Sequence, residues 1–217
     1  DAWIDSAYAE IANDRLQLNE GHFAASALHV SGGPGQIDFK ITGATSTILA
    51  LLDHEPLGFI SQYGMDPAIV AGYGDVAATL TLPLRKTVTM DDVGLSGRAV
   101  VHDVGLPNIF ADVSVDGGQL VIDVEREGLV ANGCVSLNGV EADLTWNERF
   151  VSGPGPSSRF RLIGQTDDAD RKALGLDLAS LVSGTVFSDV TVRGSGPDLV
   201  DGSVEVTLTD AVLKQDV

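Results

Sequence analysis

Apolar and polar side chains alternate one for one along much of this chain, a period that fits a strand with one dry face and does not fit a helix. In 118–125, Leu120, Ile122 and Val124 share one side, while Val121, Asp123 and Glu125 share the other. In 141–150, Ala142, Leu144, Trp146 and Phe150 oppose Glu141, Asp143, Thr145, Asn147 and Arg149. Phe160 and Leu162 oppose Arg159 and Arg161; Val204, Val206 and Leu208 oppose Glu205, Thr207 and Thr209. Five Gly-containing pairs supply candidate hairpin turns: Gly32-Gly33, Asp116-Gly117, Asn132-Gly133, Asn138-Gly139 and Asp201-Gly202. The pattern predicts a mainly β fold: one long, curved antiparallel meander, groove-like (a β-taco) and wet on one side. It is read as a single segment over residues 1–217.

Two or three short helical segments interrupt the strands. In 45–64 the apolar spacing is nearer 3.6, through Ile48, Leu51, Leu52, Leu57, Phe59, Ile60 and Tyr63, and Pro56 divides that stretch into two helices. Asp167, Asp168 and Asp170 crowd the start of a second segment, about 167–175, which Gly175 ends. Residues 152–158 and 194–197 read as loops.

Charge narrows the function. Acids outnumber bases 31 to 13, for a net charge of −18, so no basic field exists to hold nucleic acid or an anionic bilayer surface. With 44% hydrophobic residues the chain can build a core, which acidic disordered chains cannot. It contains no run of about 18–20 uncharged apolar residues of the kind a membrane helix needs. The single Cys134 excludes an internal disulfide and a multi-Cys zinc site; it is expected to be a buried, inert thiol. The chain begins at Asp1 without Met or a signal peptide and is read as a piece of a longer protein whose targeting signal or anchor lies elsewhere.

No motif for catalysis emerges. His22, His29, His54 and His102 lack a second His at metal spacing. His102, at strand spacing from Val100 and Val104, is expected on a mainly apolar face without a partner. Asp91-Asp92 and Asp167-Asp168 read as turn and helix-start residues rather than an acid–base pair. The stretch 32–38 resembles one calcium-binding nonapeptide, but such sites need stacked copies. Nucleophile elbow, Walker loop and dinucleotide fingerprint are all missing. The expectation is therefore no enzyme, no catalytic residue, no cofactor and no metal. Glu148, in line with Trp146 and Phe150, is expected at the strand's exposed end; the alternative is that it faces a polar headgroup.

A series of motifs points further. Leu51-Leu52-Asp53-His54-Glu55-Pro56-Leu57 is followed by Tyr63-Gly64-Met65-Asp66-Pro67 and Leu82-Pro83-Leu84. Then come Leu137-Asn138-Gly139-Val140 with Leu144-Thr145-Trp146, Ser158-Arg159-Phe160, Leu174-Gly175-Leu176 and Leu208-Thr209-Asp210-Ala211. In this order, from about Ile37 to the end, they resemble the central region of bacterial AsmA-like proteins of the YhdP type, relatives of TamB and AsmA. The resemblance implies a periplasmic segment of a parent protein anchored in the inner membrane of a Gram-negative bacterium. It also implies sheets curled into a groove with an apolar interior, and a role in moving phospholipid between the two membranes and in outer-membrane integrity. It brings no catalytic residues.

Hydrocarbon in water costs about 0.8 kcal/mol per CH₂, so a carrier must present an uninterrupted dry strip. The expected lining is Leu120, Ile122, Val124, Leu144, Trp146, Phe150, Phe160, Leu162, Val204, Val206 and Leu208, with a phospholipid or other acyl lipid as partner. The same dry face could instead be an ordinary core, closed by the helical segments or a second sheet. A second reading is a structural or assembly module that binds envelope proteins through an exposed sheet edge. An enzyme acting on glycans or lipids would need converging carboxylates of shifted pKa.

Overall fold

The computed structural model describes residues 2–4, 7–11, 14–25, 32–53, 66–89, 92–110, 112–151, 153–176, 178, 180–195 and 198–213. Twelve strands form one antiparallel sheet: β1 (Ala2–Ile4), β2 (Ala7–Ile11), β3 (Asp14–Ala25), β4 (Gly33–Ala44), β5 (Ala71–Leu84), β6 (Gly94–Phe110), β7 (Val113–Glu125), β8 (Gly128–Leu137), β9 (Val140–Arg149), β10 (Ser158–Thr166), β11 (Val182–Ser195) and β12 (Asp198–Leu213). From β3 to β12 each strand pairs with the next in sequence; β1 and β2 both pair with β3. The predicted meander is thus present, and it is open. Its eleven-strand path, at about 4.8 Å per step, is roughly 48 Å across.

The predicted helical segments are there in part. Helix α1 (Thr45–Asp53) follows β4 directly. The second half of the predicted segment, including Pro56, Leu57, Phe59, Ile60 and Tyr63, lies outside the described residues. A single 3₁₀ turn, Pro67–Ile69, leads into β5 and is capped by Asp66, whose carboxylate accepts from the Ala68 amide. Helix α2 (Asp168–Ala173) starts as its acids imply. Asp167 is the N-cap, its carboxylate accepting from the amides of Ala169 and Asp170 while Asp170 reaches back to the Asp167 amide. These amide donors hold the Asp167 carboxyl below its ordinary range.

Only some Gly-containing pairs make turns. Asn138-Gly139 joins β8 to β9, both residues having positive φ, 49° and 82°, the arrangement a tight hairpin requires. Gly32 turns the chain into β4. Asp116-Gly117, Asn132-Gly133 and Asp201-Gly202 do not turn the chain: they lie inside β7, β8 and β12. The β7–β8 hairpin turns instead at Arg126-Glu127. Asp116-Gly117 marks a bulge, where pairing skips from Val115↔Leu137 to Gly117↔Ser136. Gly133 is small because β7 comes close: a Cβ there would lie 1.9 Å from the Gln119 carbonyl oxygen. A second bulge falls between β5 and β6 near Gly72 and Asp103. Such irregularities increase local bend and twist, which curves a wide sheet.

Register divides the sheet into two chemically distinct faces, because directly paired residues point to the same side. One side carries cross-strand ion pairs. Lys40 Nζ lies 2.6 Å from Glu20, Arg98 Nη1 2.8 Å from Asp123, and Arg193 Nη1 3.3 Å from Asp201, while Arg161 holds Asp189 through both Nε and Nη2. Each exposed pair is worth at most about 1 kcal/mol, so these pairs chiefly keep that side wet and in register. The other side is mainly apolar from β3 to β11. Among the described residues, core packing gathers in two patches there. Ile48 of α1 packs with Leu16 and Ile41, against Leu18, Phe39 and Val76. Val101, Val104, Leu120, Val135, Leu137 and Ala142 form the second patch, with Leu174 from the end of α2 packed on it.

Candidate functional site

The apolar side can be followed strand by strand. One row runs Val76, Ala99, Ile122, Ala131, Trp146, Phe160, Val192. The next runs Val101, Leu120, Gly133, Leu144, Leu162, Val190. Both are made only of apolar residues and glycine. Ile122, Val124, Leu144, Trp146, Phe150, Phe160 and Leu162 are half-buried, and Leu120 is buried. Trp146 and Phe160 stack at 5.6 Å between ring centroids with an 18° interplanar angle. Val204, Val206 and Leu208 are the register partners of Val190, Ser188 and Val186; their side chains lie outside the described residues.

Register also adds residues that periodicity within one strand could not supply. Val101, Ala131, Val190 and Val192 join the rows because their partners are already in them. Small residues open the strip: Gly133 lies between Leu120 and Leu144, and Ala131 between Ile122 and Trp146. Along β9 the strip extends from Glu148 to Val140, roughly 27 Å at 3.4 Å per residue.

All described strands belong to one sheet, so no second sheet covers this face among the described residues. Helix α1 and Leu174 cover part of it, which realises the alternative of closure by helical segments at those two places.

Three residues differ from their expected settings. His102 is on the charged side, opposite Tyr73 and Gln119, with Nε2 3.5 Å from Asp75. The bulge at Asp103, φ 50°, shifts the register so that Val101 and Val104 share the apolar side without it. Cys134 is exposed rather than buried, opposite Asp143. Local desolvation, then the charges of Glu141 and Asp143, push its thiol pKa up, so the thiolate is disfavoured. Glu148 is 7% exposed, not at an open strand end. It sits on the apolar side, where its Oε2 accepts from Trp146 Nε1 at 3.2 Å. Its register partner Ser158 is 2% exposed. Glu148 Oε1 and Ser158 Oγ are both buried without a hydrogen-bond partner.

A concavity of about 550 Å³ is edged by Asp123, Glu125, Glu127, Arg149, Arg159 and Arg193, and Leu129, Val130, Glu148 and Ser158 also line it. At its edge, Arg149 is occupied by the carbonyls of Gly153, Pro154, Gly155 and Pro156. Asp92 accepts from the Thr89 amide and hydroxyl and from Arg85, which lowers its pKa to about 2. It is a loop fastener, as its sequence context suggested; Asp91 lies outside the described residues. No group of His, Cys, Asp and Glu among the described residues could hold a metal. No helix among them is long and apolar enough to cross a membrane. The chain matches no protein-family model, no curated protein and no solved structure.

Proposed function

We propose that this chain is a non-enzymatic lipid-handling segment, AsmA-like in kind, whose apolar sheet face holds or conducts phospholipid acyl chains. The observation that carries the reading is the row structure: two adjacent rows of apolar residues and glycine continue across at least six strands, with no second sheet laid over them among the described residues. Hydrocarbon of a dozen methylenes gains about 10 kcal/mol on leaving water, so an uninterrupted strip is enough to solvate a tail without any specific contact. The charged side keeps the same sheet soluble and, at a net −18, away from anionic headgroups. In the reading, the lining residues are Leu120, Ile122, Val124, Leu144, Trp146, Phe150, Phe160, Leu162, Val204, Val206 and Leu208, and their role is solvation. The parent protein is placed in the periplasm, anchored in the inner membrane and supporting outer-membrane integrity.

Native mass spectrometry and lipid extraction of the purified chain test this. Co-purified phospholipid, lost in Leu144→Asp together with the host's outer-membrane barrier, is the expected result. Absence of lipid, with the barrier intact in Leu144→Asp, would refute it. The alternative, a module that binds envelope proteins by an edge strand, rests on β12, which pairs only with β11 among the described strands. Partner binding would then survive Leu144→Asp and fail on proline substitution in β12.

A further inference from the structure

Among the described residues, Glu148 and Ser158 form a buried polar pair within the apolar side. The row it occupies reads Gly97, Val124, Leu129, Glu148, Ser158, Gly194. A carboxylate offers about four acceptor positions, and one indole N–H at 3.2 Å is the contact seen. The hydroxyl directly opposite is buried and unpartnered as well. Burying such groups unmatched is costly, and an apolar pair would fit the row at no such cost. Both residues also line the concavity of about 550 Å³, which gives a partner a route to them. What matches the unmet capacity is a cation that donates several hydrogen bonds. A phosphate would meet carboxylate repulsion.

Resting on the proposed lipid reading, we infer that Glu148 and Ser158 form a headgroup site for a primary ammonium, as carried by an ethanolamine-headed phospholipid. A primary ammonium has three N–H donors, enough for Glu148 Oε1, Ser158 Oγ and one more acceptor. The stacked rings of Trp146 and Phe160, in the adjoining row, give the cation a π surface beside the carboxylate. The acyl chains then run from this end along the strip toward Val140. A quaternary ammonium would leave the serine and the carboxylate without donors. An anionic glycerol head would bring the wrong charge.

The test is competitive capture. The full chain is incubated with vesicles holding equal parts phosphatidylethanolamine, phosphatidylcholine and phosphatidylglycerol of identical acyl composition, and bound lipid is quantified by mass spectrometry. The ethanolamine lipid should be enriched roughly tenfold over the others, the scale of a charge-assisted hydrogen bond. In Glu148→Gln the enrichment should fall to about one, and in Ser158→Ala it should fall by a smaller factor. Circular dichroism checks that both variants remain folded. Lipid captured in the vesicle ratio, or a preference that persists in Glu148→Gln, overturns the headgroup site and leaves the acyl-chain reading standing. No lipid of any class overturns both. Free ethanolamine should not compete at equal concentration; if it does, the site serves a soluble amine and the lipid assignment is wrong.

Discussion

Truncating Phe160 and truncating Val135 should rank differently depending on whether the apolar face is open. Val135 is 1% exposed, inside the patch on which Leu174 packs. Removing its two methyl groups costs about 1.6 kcal/mol in transfer and about 1 kcal/mol more for the cavity, near 2.5 kcal/mol in all. Phe160 is larger, but it is half-buried and stacks on Trp146. A half share of its transfer energy plus the ring contact gives about 1.5–2 kcal/mol for Phe160→Ala. Were the ring enclosed on all sides, the same change would cost about 3–5 kcal/mol. Urea unfolding at constant m measures both variants without lipid. An open face makes Val135→Ala the more damaging change. A Phe160→Ala loss clearly above that of Val135→Ala would mean that protein packs over the ring, and the trough reasoning would fail.

Close backbone approach and acid sensitivity give two further expectations. Gly133→Ala puts a carbon 1.9 Å from the Gln119 carbonyl oxygen and should cost about 2–3 kcal/mol in urea unfolding by forcing β7 and β8 apart. Gly139→Ala, with φ +82° and nothing within 4 Å, should cost only about 1–2 kcal/mol. Asp92 has its pKa lowered from 3.8 to about 2, by the Thr89 amide first, then the Thr89 hydroxyl and Arg85. Its contribution is therefore complete above pH 3.8 and lost as pH falls through about 2. Urea midpoints measured from pH 5 to pH 2 should decline less steeply in Asp92→Asn than in the parent chain; identical slopes would remove Asp92 from the acid limb.

Strand identity was legible wherever the alternation was strict, and β7, β9 and β10 appear where 118–125, 141–150 and 158–164 implied them. The capped start of α2 was equally legible, because a cluster of acids ahead of a short helix has few other uses. Turn positions were less so. Asn132-Gly133 and Asn138-Gly139 have the same chemistry, yet only the second turns the chain. What separates them is the neighbouring strand, which needs a glycine at 133 for clearance. His102 was misplaced because a bulge inverts the side-chain period and leaves no mark in composition. Glu148 could be singled out from its line with Trp146, but its pairing with Ser158 depends on the register across residues 150–157, and a loop of that length does not fix register. Ser158, an ordinary serine at a strand start, carried no signal of its own.

Photo-cross-linking from neighbouring positions on β9 asks directly what the apolar side touches. A diazirine-bearing residue at 144 projects from the apolar rows, and one at 145 from the side of Asn132 and Arg161. If that side solvates hydrocarbon, irradiation of cells should attach phospholipid at 144 and none at 145, read by mass spectrometry of the purified chain. Intramolecular links alone at 144, or equal lipid attachment at both positions, would contradict it.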